Sequence, residues 1–305
     1  MATITVTSSY VGDALKKYIL ACMLGGETLS TNGISVQTNV KYKRKIKKIG
    51  IGDVVQCGSC DFTPTSGVTI TEAVLSPCES KINEEICFED LYQLWDSADM
   101  AAGIHNENVP QSLADGLTEA YTKVAAQEIE KAIWQNDDTA TGTTFCACFN
   151  GYECQLAAGG VTGGTGATLT VSNILTHLNA AYALVPACVL AKPKNELVIF
   201  MSHKAFSLYE MNLATQGVNT SIQAGVPTLY GIEIKPISGL SNDNIIVIGA
   251  RDNFYVGTDL ESDYNQIKVI DMRETTGDES VRYIMKWKMD VAIAYPGEVV
   301  YYNAV

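Results

Sequence analysis

Residues 112–135 place Leu117, Tyr121, Val124, Ile129 and Ile133 at spacings close to 3.6, behind a Ser112-x-x-Asp115 start, and so predict one helix of about 24 residues. At about 1.5 Å per residue such a helix spans on the order of 36 Å. That is long for a compact enzyme domain and suits a structural spine. Pro110 lies just before it, and the Gly, Thr, Asp and Asn residues of 136–168 end it.

A second strong periodicity lies near the C-terminus. Val281, Tyr283, Met285, Trp287 and Met289 alternate with Arg282, Ile284, Lys286, Lys288 and Asp290, a period of two that predicts a half-buried strand. IKVIDMRE at 267–274 supplies the first arm of a long hairpin, with Gly277-Asp278 in its turn. Between spine and hairpin lies a compact α/β pattern. Ser172 or Asn173 caps a helix bearing Ile174, Leu175, Leu178 and Tyr182, LVIFM at 197–201 reads as a buried strand, and Ser202 caps the next helix. Short strands follow in LYGIEIKPI, NIIVIGA and NFYVG.

Ahead of the spine, VGDALKKYILACML at 11–24 sets Leu15, Ile19 and Met23 against Lys16 and Lys17 as a short amphipathic helix stopped by Gly25-Gly26. Residues 34–88 read as an extended β excursion rich in turn residues. At 85–110, Leu91, Leu94 and Trp95 on helical spacing predict a short helix and a loop. The fold class is α+β.

Net charge of −13 excludes a dedicated nucleic-acid binder, which needs surplus Lys and Arg over a broad face. No apolar run reaches the roughly 18 to 20 residues of a bilayer span, and MATITVTSSY lacks the regions of a signal peptide, so the expected site of synthesis is a cytoplasm and no membrane partner is expected. The run from Gly159 to Gly166 lacks the Lys-Ser/Thr of a phosphate loop and reads as a flexible surface loop. His105, His177 and His203 share no metal-ligand spacing, and no catalytic residue, metal or cofactor is expected.

Two constellations remain open. Cys57-x-x-Cys60 with Cys78 and Cys87 downstream could be packed thiols, a disulfide, or four zinc thiolates. Lys41, Lys43, Arg44, Lys45, Lys47 and Lys48 concentrate positive charge in a chain whose other 15 cations face 34 carboxylates. Such a run is a solvated strand face, an arm that docks on an acidic neighbour such as the Asp259, Glu261 and Asp263 cluster, or a nucleic-acid arm.

The order of arm, β excursion, spine helix, α/β unit and closing hairpin, together with VPTLYGIEIKPIS at 226–238, NIIVIGARDNFYVGTDLE at 244–261 and VRYIMKWKMDVAIAYPGEVVYY at 281–302, resembles the Hong Kong 97-type major capsid protein of tailed phages. VKYKRKIKKI, CGSCDFTPTSG and ICFEDLYQLW resemble capsid proteins of phages infecting Bacteroidetes. The resemblance implies an N-terminal arm at 1–33, an extended loop at 34–88, a peripheral domain at 89–138 holding the spine helix, an axial domain at 139–257, the peripheral hairpin at 258–290 and a return strand to the axial domain at 291–305. It implies a non-enzymatic virion subunit that self-assembles as pentamers and hexamers around double-stranded DNA without sequence-specific contacts. Partners would be a separate scaffolding protein, a portal and decoration proteins. An encapsulin-type bacterial nanocompartment shell is the alternative on the same fold.

Overall fold

A computed structural model describes residues 8–10, 27–30, 34–51, 55, 57–58, 68–87, 111–139, 149–164, 166–216, 227–259, 266–273 and 276–305. The strands, in chain order, are β1 (Ser8–Tyr10), β2 (Ser35–Gln37), β3 (Arg44–Ile51), β4 (Val68–Leu75), β5 (Cys78–Cys87), β6 (Val161–Gly163) and β7 (Leu197–Ser202). Then come β8 (Thr228–Leu229), β9 (Ile232–Ile237), β10 (Ile245–Ala250), β11 (Phe254–Thr258), β12 (Gln266–Asp271), β13 (Ser280–Ile293) and β14 (Val300–Asn303). The spine helix runs Gln111–Gln135, one residue longer at its start than its periodicity predicts.

β13 organises one six-stranded sheet. It pairs antiparallel with β11 and then β12 along one edge and with β5 along the other, while β1 extends the sheet beyond β12 and β2 lies parallel to β11. The predicted alternation holds: Val281, Tyr283, Met285, Trp287 and Met289 are all buried. Gly277 takes φ 82° in the β12–β13 turn, where the Met272 carbonyl accepts the Thr276 and Gly277 N–H groups. The left-handed backbone there favours glycine.

The second six-stranded sheet has the order β6-β14-β10-β7-β9-β8. Its central strands β7 and β10 are buried at every position because both faces are covered. Helices Ile174–Ala183 and His203–Thr215 pack on one face, the second capped by Ser202 Oγ accepting from the Ala205 N–H at 3.1 Å. The Asn173 side chain binds the Thr170 N–H instead of capping its helix.

The opposite face joins the core beneath the spine. Trp134, Tyr152, Phe200 and Phe254 meet edge to face with ring centroids 5.2–5.5 Å apart, the arrangement that aromatic quadrupoles favour. One apolar cluster therefore runs from the β7/β10 sheet through the spine to the β13 strand. The two sheets share a core.

One expectation needs correction. The glycine run at 159–166 is not only a surface loop, because Val161–Gly163 forms β6, parallel to β14. A side chain at Gly163 or Gly164 would collide with Leu184 or the Asn303 carbonyl, so glycine serves close packing there. The expected β excursion of 34–88 holds four of these strands. Its ends, β2 and β5, pair with β11 and β13, and only the β3–β4 hairpin stands apart as a two-stranded sheet. The predicted helix at 11–24 lies outside the described residues, as does the stretch 88–110 that carries Leu91, Leu94 and Trp95.

Candidate assembly surfaces

The β3–β4 hairpin carries the basic run. Cross-strand partners share a face of a ribbon, so Lys45↔Val74, Lys47↔Glu72 and Ile49↔Ile70 present one side together. Ile49 is 63% exposed, Ile70 62% and Val74 43%. A two-stranded ribbon that leaves its isoleucines in water is marginal by itself. Lys45 donates to Glu72 at 2.6 Å, and that hydrogen bond is the main reason the Glu72 carboxyl sits below its usual range. Lys41, Lys43, Arg44 and Lys47 are exposed and make no ion pair among the described residues.

The hairpin's root is fixed. Leu75 is fully buried over Gly257, and the Asp290 carboxylate accepts the Ser76 N–H and its neighbour Val291 N–H, the latter at 2.8 Å. Burial pushes the Asp290 carboxyl up, against the pull of those two N–H groups. The N-terminal segment is clasped in the same way. Helix Glu27–Ser30 lies against the spine, where buried Glu130 accepts from the Thr28 N–H at 3.2 Å and from its hydroxyl. Trp134 Nε1 donates to Thr28 Oγ1 at 2.8 Å, and Glu27 accepts from the Ser238 N–H at 2.6 Å and meets His203 Nε2 at 2.8 Å. Burial raises Glu130 as well. Sequence periodicity carried no sign of these clasps, because each joins a carboxylate to a backbone N–H more than a hundred residues away.

Of the acidic half of the expected docking pair, only Asp259 lies among the described residues. Asp259 is 1% exposed, so its carboxylate does not face outward to receive a neighbour's arm. Glu261 and Asp263 lie outside the described residues, as does the side chain of Lys48.

The four-thiolate zinc reading also fails. Cys78 is disulfide-bonded, Cys57 and Cys87 are free and exposed, and Cys60 lies outside the described residues. Cys78 and Cys87 stand at opposite ends of the ten-residue β5, about 30 Å apart at ~3.3 Å per residue, too far to share a metal ion. No group of three metal-ligating side chains occurs among the described residues. His177 is buried and bonded to the Tyr302 hydroxyl at 2.8 Å, a structural role.

No protein-family model and no curated protein matches the chain. Solved structures do. A chain of the satellite phage P4 procapsid, which includes the size determination (Sid) protein, is 10% identical with a TM-score of 0.57, over 95% of this chain and 99% of that one. A chain of the Gordonia phage Cozz structure is 14% identical with a TM-score of 0.59, over 92% and 87%. A chain of a virus-like particle from Pyrococcus furiosus is 11% identical with a TM-score of 0.52, over 95% and 97%. At such identities the likeness is one of fold, and it extends over nearly the whole of each chain. The chain has the fold of phage capsid proteins, as its resemblance to the tailed-phage major capsid protein implies.

Proposed function

We propose that this chain is the major capsid protein of a tailed bacteriophage, which assembles with itself as pentamers and hexamers into an icosahedral head around double-stranded DNA. The observation that carries this reading is the near end-to-end match to a procapsid chain, 95% of one and 99% of the other. On this reading residues 1–33 are the arm, 34–88 the extended loop, 89–138 and 258–290 the peripheral domain, 139–257 the axial domain, and 291–305 the return strand. The virion is its place of work. A scaffolding protein, portal and decoration proteins are its partners.

The physical work is burial. A ribbon with Ile49, Ile70 and Val74 in water is costly on a lone subunit and gains stability when laid across a neighbour. Obligate interfaces of some 2,000 to 5,000 Å² supply that cover, and heterologous contacts about a rotation axis close into rings. A net charge of −13 fits a container that must release its DNA, since a strongly cationic wall would hold phosphate.

A second reading, an encapsulin-type nanocompartment shell, is favoured by the match to the Pyrococcus furiosus virus-like particle. Particles recovered from the native source decide between the two. Nuclease-protected genomic DNA is the expected content of a phage head, and protein cargo without DNA would favour the nanocompartment.

A further inference from the structure

Strands β8 and β9 are joined by the two-residue turn Tyr230-Gly231, closed by the Leu229↔Ile232 pair. Both turn residues take positive φ, 52° at Tyr230 and 82° at Gly231, as a type I′ hairpin turn requires. Asn-Gly suits such a turn, because Asn tolerates the left-handed region, whereas a bulky side chain there is strained. Burial does not offset that strain, since Tyr230 is 57% exposed. A strained aromatic held in water calls for a reason outside the fold. Its neighbours supply one. Asn179 and Tyr182 lie three residues apart on one face of helix Ile174–Ala183. The Tyr182 and Tyr230 rings meet with centroids 5.0 Å apart, tilted by 51°, and the Tyr230 hydroxyl donates to Asn179 Oδ1 at 2.8 Å. The stem of Lys194 lies beside Gly231, and its ammonium donates to the Tyr182 hydroxyl at 3.1 Å. Lys194 makes no ion pair among the described residues. What this aromatic ledge has left to offer is donors: the Tyr182 O–H, the remaining Lys194 N–H groups and the Asn179 amide N–H groups.

We propose that the Tyr182–Tyr230 ledge binds an extended, proline-rich segment of a partner protein, one that carries a carboxylate beside its prolines. A run of prolines offers carbonyl acceptors and no N–H, so it complements a surface whose free groups are donors. Its pyrrolidine rings lay flat apolar faces against the two tyrosines, and its polyproline conformation is formed before binding, which lowers the entropy cost. The carboxylate meets Lys194, a lysine without an ion pair in a chain of net charge −13. A sugar is a poorer match, because its hydroxyls bring donors as well as acceptors. A second copy of the chain cannot supply the segment, since its eight prolines are scattered singly along the sequence. The proposal goes beyond the shell reading and concerns what attaches to the α/β unit of a subunit, assembled or free.

The test uses the purified protein and a fluorescein-labelled decaproline peptide with glutamate at both ends, against the same peptide with alanine for proline. Fluorescence anisotropy should show the proline peptide binding below about 1 mM, weakening as salt rises, and the alanine peptide not binding. Tyr230→Asn, which installs the residue that the turn itself prefers, should weaken binding by about tenfold or more and leave the melting temperature unchanged or raised. Lys194→Met, which keeps the stem and removes the charge, should flatten the salt dependence. Failure of the proline peptide to bind, or equal binding of both peptides, overturns the proposal. A lower melting temperature for Tyr230→Asn also overturns it, because the ring is then kept for the fold. So does binding of a neutral oligosaccharide such as maltohexaose in place of the peptide. Protein that binds the peptide but forms no shells leaves this proposal standing and sinks the shell reading alone.

Discussion

Replacing Ile49 and Ile70 together by Thr separates folding from assembly. The substitution keeps the branched Cβ and the strand preference, so the β3–β4 pairing survives. Both side chains are more than 60% exposed on the isolated subunit, so the subunit should lose no more than about 0.5 kcal/mol of unfolding free energy. In a shell that buries them, each isoleucine regains roughly 1–2 kcal/mol, about two-thirds of the 1.5–3 kcal/mol for a fully buried aliphatic chain. The two positions then cost about 2–4 kcal/mol per contact, on the order of 30- to 700-fold in its equilibrium constant. Urea unfolding of the dissociated subunit measures the first quantity, and light scattering against protein concentration measures the second as a raised threshold for assembly. A subunit destabilised as much as the assembly, or a threshold unchanged, would refute the claim that this ribbon face is covered by a neighbour.

Trp134→Ala removes a fully buried ring from the four-ring cluster and the donor to Thr28, and should cost about 3–5 kcal/mol by denaturant unfolding followed by circular dichroism. Trp134→Phe, which keeps the apolar ring and loses the N–H, should cost markedly less; equal losses would contradict the packing account. Glu130, Glu153 and Asp290 all have carboxyls raised by burial, so the folded state holds their protons more tightly than the unfolded chain. The stabilisation this linkage gives is complete below the unfolded range of about 4 and is lost as pH rises through the folded values. Unfolding midpoints of the subunit should therefore fall from mildly acid to neutral pH in high salt, which screens the opposite contribution of exposed Glu72 and Glu85. Glu130→Gln should flatten that slope, and an unchanged slope would remove Glu130 from the account. Converting Lys43, Arg44, Lys45 and Lys47 to Glu should abolish assembly and leave subunit unfolding within about 0.5 kcal/mol, since all four are exposed.

Much of the frame was legible because local periodicity carried it. The spine announced itself through Leu117 to Ile133, β13 through its strict alternation, and β7 through a short unbroken apolar run whose both faces are covered. Less legible was whatever depends on distant pairing. β5 reads CESKINEEIC, which shows only Ile82 and Ile86 as apolar signals, and nothing local says that ten of its residues lie along β13. The basic run was visible as a charge contrast. Asp259 looks like a surface carboxylate beside Glu261 and Asp263, and only the closing of β11 against β13 places it inside. The carboxylate clasps of Glu130 and Asp290 belong to the same class, since a backbone N–H leaves no mark in a sequence.

Electron microscopy of the purified protein, alone and co-expressed with candidate scaffolding proteins from its own source, tests the central claim most directly. Closed icosahedral shells, or rings of five and six, are the predicted result. A folded, monodisperse monomer across salt and concentration, with the scaffold present, would contradict it.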